Sequence, residues 1–113
     1  MNNILNEDCS NSESDISFQV NDLLYSTVNI HCSKMEKDVE KYALKVCEKA
    51  HNFYFKEYDR VKYITKKLAE NFGPEWYCIT GVNPKVDWVS YCKDYDVGLT
   101  LEINDTMYSL YQE

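Results

Sequence analysis

A chain of 113 residues has material for one hydrophobic core and not for two. With 44 % hydrophobic and 14 % aromatic residues it is too apolar to remain globally unfolded, and with Gly 3 and Pro 2 it is too poor in tight-turn residues for a turn-dense sandwich or barrel. The net charge of −7 is uneven: Glu7, Asp8, Glu13, Asp15 and Asp22 meet no Lys or Arg in residues 1–27, so −5 lies there and −2 on the rest, and neither part has the clustered basic surface that nucleic acid demands.

Residues 1–15, rich in Asn, Ser and acid, read as a solvated arm, and the acidic N-terminal arm is taken as 1–27. Within it Ile16, Phe18 and Val20 alternate with polar residues, the pattern of a short strand or of a segment that docks on a partner. A second alternation begins at Val28 and runs through Ile30. Ser33 and Glu36 then have capping-box spacing, and Met35, Val39, Tyr42, Ala43, Val46, Cys47 and Ala50 form one apolar stripe, which predicts a helix over 33–52. Val61, Ile64, Leu68 and Phe72 share a face of a second helix, with Phe55 and Tyr58 as candidate additions, and Gly73-Pro74 stops it with a left-handed cap. Strands are expected at Trp76–Val82, Val86–Tyr91, Val97–Ile103 and Thr106–Tyr111, with Asn104-Asp105 as the last turn. Two amphipathic helices segregated from an antiparallel sheet make the class α+β.

Five cysteines, Cys9, Cys32, Cys47, Cys78 and Cys92, are odd in number and widely spaced, which is not a disulfide framework. The N-terminus lacks the basic and apolar regions of a signal peptide, and no apolar run approaches the ~20 residues of a membrane span. The expectation is a cytosolic chain with reduced thiols and no membrane partner. His31-Cys32 lacks the second ligand pair that zinc needs. Cys78 has no neighbouring base in sequence and reads as a small buried hydrophobe rather than a nucleophile, as does Cys47. Lys37, Lys41, Lys45 and Lys49 form one row on the first helix, which reads as a solvated face. No phosphate loop or paired-carboxylate motif is present, so an enzyme is not expected, and no cofactor.

The run from Ile64 through Lys66, Phe72, Pro74, Trp76, Cys78, Ile79, Gly81 and Asn83 resembles the eight-kilodalton dynein light chain family, in which a helix with a Lys-Lys pair leads into Pro-x-Trp-x-Cys-Ile-x-Gly-x-Asn. The spacing extends upstream to Met35, so the resemblance covers 28–113, taken as one dynein-light-chain-like domain. It implies two helices on a sheet and a dimer made by exchanging the strand after Gly-x-Asn, here Val86, Asp87, Trp88, Val89, Ser90 and Tyr91, with Tyr77 at the interface. It also implies a sheet edge that accepts a client strand by β-augmentation. The implied partners are the dynein intermediate chain and a second light chain, in a homodimer or a heterodimer. The implied role is non-catalytic assembly of a motor, in the cytoplasm and cytoskeleton; a cytosolic scaffold for a non-dynein client is the alternative.

The departures from that family fall in the client groove. Pro84 and Lys85 follow Asn83 where an aromatic and small residues are usual, and the row facing the client is Gly98, Thr100 and Glu102 instead of aromatic. Tyr58 stands where the second helix usually carries Lys. Tyr77 replaces an interface His, which removes a titrating switch, since Tyr stays neutral to about pH 10. The reading is a retained fold with a rewritten groove, typical of a specialised light chain of ciliary outer-arm dynein. Trp76 is assigned to the core. Trp88 either packs in the dimer interface, which is preferred because aromatics concentrate there, or faces the client.

Overall fold

The computed structural model describes residues 27–113; the arm before them, with the Ile16–Val20 alternation, lies outside the described residues. The elements are β1 (Val28–Lys34), α1 (Lys37–Phe53), α2 (Glu57–Phe72), β2 (Trp76–Gly81), α3 (Trp88–Lys93), β3 (Val97–Ile103) and β4 (Thr106–Gln112). The four strands form one sheet in the order β1-β3-β4-β2, and every neighbouring pair is antiparallel. The α+β class expected from the sequence is thus the class found.

The β3–β4 hairpin is the register mark of the sheet. Asn104 and Asp105 take φ values of 49° and 73°, the two positive values a tight two-residue hairpin turn requires, and Asn tolerates them better than most side chains. Asn104 also pins the start of β1: its side-chain oxygen accepts from the Thr27 N–H at 2.9 Å, and its own N–H donates to the Thr27 carbonyl at 3.0 Å.

From that register, Leu99, Leu101 and Ile103 of β3 point to one face together with Tyr108 and Leu110 of β4. All five are fully buried against Ala43, Val46, Cys47 and Ala50 of α1 and Ile64 and Leu68 of α2, which are the stripes the helical spacing marks out. Trp76 closes this core at 6 % exposure, as assigned. Arg60 caps the end of α1 by donating to the carbonyls of Tyr54 (2.7 Å) and His51 (3.1 Å).

Four expectations are corrected. The capping box does not form: Ser33 is still in β1, its hydroxyl reaches Glu40 at 3.2 Å, and α1 starts at Lys37 after Glu36, so strand pairing with Leu99 outcompetes the cap. Gly73 stops α2 with φ 89°, a value that favours glycine, but its ψ of 173° is extended rather than left-handed helical. Phe55 and Tyr58 do not join the apolar face of α2; they are 94 % and 71 % exposed. Finally, the segment read as a strand at Val86–Tyr91 is not one: Val86 closes a turn, Asp87 is the N-cap residue, and Trp88–Lys93 is helix α3. Three strands, not four, follow the two long helices.

Candidate functional site

The face of the sheet opposite α1 and α2 carries Gly98, Thr100 and Glu102 of β3 and Met107, Ser109 and Tyr111 of β4. Helix α3 lies on it. Its local sequence explains why it is helical. Asn83 organises the preceding turn: its side-chain oxygen accepts from the Lys85 N–H at 2.9 Å, and its carbonyl accepts from the Val86 N–H at 3.3 Å and the Trp88 indole N–H at 2.9 Å. The Asp87 carbonyl then accepts from both the N–H and the hydroxyl of Ser90, at 3.2 and 2.7 Å. Trp88 and Cys92 are four residues apart, so a helix turns both onto the sheet, where both are buried.

The sheet is shaped to receive this helix. A Cβ on Gly98 would lie 2.9 Å from the Cys92 Cα, and a Cβ on Gly81 would lie 3.1 Å from the Trp88 ring, so both glycines are needed for the approach. The Trp88 carbonyl accepts from the Ser109 hydroxyl at 2.6 Å, with the Thr100 hydroxyl 3.2 Å from the same carbonyl and 3.1 Å from Ser109. These hydroxyls are fully buried, so α3 satisfies polar groups that would otherwise be stranded. At the far end of α3 the Lys34 ammonium donates to the Lys93 carbonyl at 3.0 Å, a cation on a helix C-terminus. Tyr91 and Tyr95 stack on Tyr111 with ring centroids 5.9 and 4.3 Å apart, and Tyr77 stacks on it at 5.4 Å.

The expected site residues divide accordingly. Gly98 meets Cys92 and Thr100 meets the Trp88 carbonyl, both inside one chain, and both are buried. Trp88 therefore packs on its own sheet. Glu102 is engaged by His31 at 3.0 Å. Asn83, Pro84 and Lys85 form the exposed turn before α3. Tyr58 is on α2, across the sheet from all of these, with the Lys62 ammonium 5.5 Å from its ring centroid. Val89, Ser90 and Tyr91 are half-buried on α3. Sequence reasoning missed Cys92, Tyr95, Ser109 and Tyr111. The signal available was the four-residue spacing of Trp88 and Cys92, a single helical turn.

Strand β2 is the last in the sheet, so its outer edge meets no strand among the described residues. Tyr77 (41 % exposed) lies along that edge and Val82 (68 %) just beyond it. The chemistry of this region is that of a hydrogen-bonding edge beside an apolar-aromatic face. The thiols nearby are held protonated: burial raises the pKa of Cys78, and burial with a smaller contribution from Cys32 pushes Cys92 up to about 12. A cavity of about 590 Å³ on the other side of the sheet is lined by Met35, Val39, Phe72, Trp76, Val97 and Gln112. Among the described residues no three His, Cys, Asp or Glu side chains are grouped to hold a metal, and no helix is long and apolar enough to cross a membrane.

Two solved structures similar to this chain are of the dynein light chain-like domain of FhCaBP2, a calcium binding protein of Fasciola hepatica. The native crystal aligns with a TM-score of 0.64 at 10 % identity, covering 79 % of this chain and 93 % of that one. A mercury derivative aligns at 0.62 and 12 % identity, covering 76 % and 91 %. These likenesses show the fold. No curated protein matches the sequence. The sequence pattern of the dynein light chain type 1 family matches residues 27–108, and the chain belongs to that family.

Proposed function

We propose that this protein is a non-catalytic light-chain adaptor that holds an extended segment of a dynein intermediate chain along the outer edge of β2, and so helps assemble a motor complex in the cytoplasm or on the cytoskeleton. The observation that carries this reading is the open edge of β2. Its outward N–H and C=O groups are unpaired among the described residues, and an added strand would satisfy them while laying alternate side chains near Tyr77 and Val82. Family membership supports the adaptor role, and the ciliary outer arm is the proposed setting because the expected groove residues Gly98 and Thr100 are covered by α3.

A second copy or another light chain would compete for the same edge, because a strand-exchanged dimer places the partner's 86–91 segment there. The alternative, a scaffold for a client outside dynein, is favoured by one observation: the same fold occurs as a domain of a calcium binding protein.

Hydrogen exchange on the full chain with a synthetic intermediate-chain segment tests the proposal. Slowed exchange of β2 amides upon binding is the expected result. Binding that protects only other elements would refute the β2 site. Purification of the tagged chain that recovers other clients but neither intermediate nor heavy chains would favour the scaffold.

A further inference from the structure

Helix α3 is held to the sheet by contacts at both of its ends, and at the C-terminal end these contacts include two cysteines. Cys32 pairs with Thr100 across the β1–β3 ladder, which sends its side chain to the α3 face. Cys92 sits on the same face, its Cα only 2.9 Å from the place where a Gly98 side chain would begin. Gly98 is two residues along β3 from Thr100 and pairs with Lys34, whose ammonium holds the carbonyl of Lys93, next to Cys92. This register sets Cys32 and Cys92 on the same sheet face, side by side over the β1–β3 ladder, which is the placement a disulfide requires. The side chain of Cys32 lies against that of Cys92, and both thiols are free.

The partners differ in access. Cys32 is half-buried and can be reached from solvent, while Cys92 is fully buried beneath its own helix. That asymmetry suits a two-step closure in which an exposed thiol captures the oxidant and a buried one resolves it.

We propose that Cys32 and Cys92 are a disulfide-forming pair that bolts α3 to β1 across the sheet face. The oxidant is a small disulfide of the glutathione class. The Cys32 thiolate attacks one sulfur of glutathione disulfide, forming a mixed disulfide and releasing one glutathione thiolate. The Cys92 sulfur then attacks the Cys32 sulfur, giving up its proton to the departing glutathione sulfur as the Cys32–Cys92 bond forms, and the second glutathione leaves as its thiol. The two protein thiols lose two electrons and two protons, and glutathione disulfide takes them up as two thiols. The bond joins the edge strand to the helix that covers Gly98 and Thr100, so oxidation keeps that face closed. Formation of the bond is independent of the adaptor proposal; only its effect on partners rests on it.

The test uses the reduced full chain incubated with glutathione disulfide, followed by intact mass and peptide mapping. The expected product has lost two hydrogens and links Cys32 to Cys92. Glutathione retained on Cys32, or a bond from either cysteine to Cys9, Cys47 or Cys78, overturns the pairing. Cys32→Ser keeps Cys92 and its packing in place and should block the bond; the same product from Cys32→Ser would also overturn it. Amide exchange of residues 88–93 should slow ~tenfold or more on oxidation, since the covered face can no longer open without breaking the bond. Unchanged exchange in a chain that does carry the bond overturns the bolting role. The β2 binding experiment on Cys32→Ser reports on the adaptor reading separately.

Discussion

His51 shows how one residue couples the helical layer to the sheet. It sits near the end of α1, half-buried, with its Nδ1 2.8 Å from the hydroxyl of Tyr108, a fully buried residue of β4. Burial lowers the His51 pKa, and the Arg60 guanidinium lowers it further, so the neutral ring, which shares a hydrogen bond with the phenol, is favoured at pH 7. A folded pKa below the unfolded value of about 6.5 means that the unfolded chain binds more protons in the window between them. Stability from this group is therefore full above pH 6.5 and lost as pH falls through the folded pKa. Urea midpoints measured from pH 7.5 to 5 should fall on acidification, and His51→Asn should flatten that slope while lowering the midpoint at pH 7.5. An equal slope in the variant would remove His51 as the cause.

At the scale of elements, α3 decides how the molecule presents itself. Burying Trp88 contributes roughly 1.5–3 kcal/mol, and the hydroxyl contacts on its carbonyl about 1 kcal/mol each. The seat tolerates no Cβ at Gly98, because the clash is with backbone that cannot rotate away. Gly98→Ala should therefore cost ~1–3 kcal/mol in urea unfolding and speed amide exchange across 88–93, while leaving exchange in α1 unchanged. A midpoint within about 0.5 kcal/mol of the parent and unaltered exchange would mean that α3 does not sit this close. The same helix marks where sequence reading stopped. The two long helices, the β3–β4 hairpin with its Asn104-Asp105 turn and the core of Leu99, Leu101 and Ile103 follow from periodicity alone. Val86–Tyr91 does not, because Trp, Val and Tyr have strand propensity and the helical spacing of Trp88 with Cys92 spans only one turn. What settles it is tertiary: the Asn83 turn, two glycines and two hydroxyls on other strands. The capping box at Ser33 fails for a similar reason, with ladder pairing outweighing a local cap.

At the scale of the whole molecule, the proposed role asks the outer edge of β2 to receive either a client strand or the 86–91 segment of another light chain, but the chain's own 86–91 segment is committed elsewhere. To exchange it, one copy must unseat Trp88 and Cys92, leave the Thr100 and Ser109 hydroxyls uncovered, and convert a helix to a strand. The strand pairing gained would have to exceed all of that, and two copies would have to open together. The chain alone at micromolar concentration should therefore have a mass near 13.3 kDa by light scattering. Gly98→Ala, which disfavours the seated helix, should move the population toward twice that mass as concentration rises, because it removes part of what exchange must overcome. A parent chain already at twice 13.3 kDa would show that 86–93 leaves its own sheet readily, and the covered face would then be a dimer interface. A monomeric parent that doubles its mass only with a different light chain would place it as one half of a heterodimer. The open β2 edge would then take the other chain's strand, and α3 would keep this chain from pairing with itself.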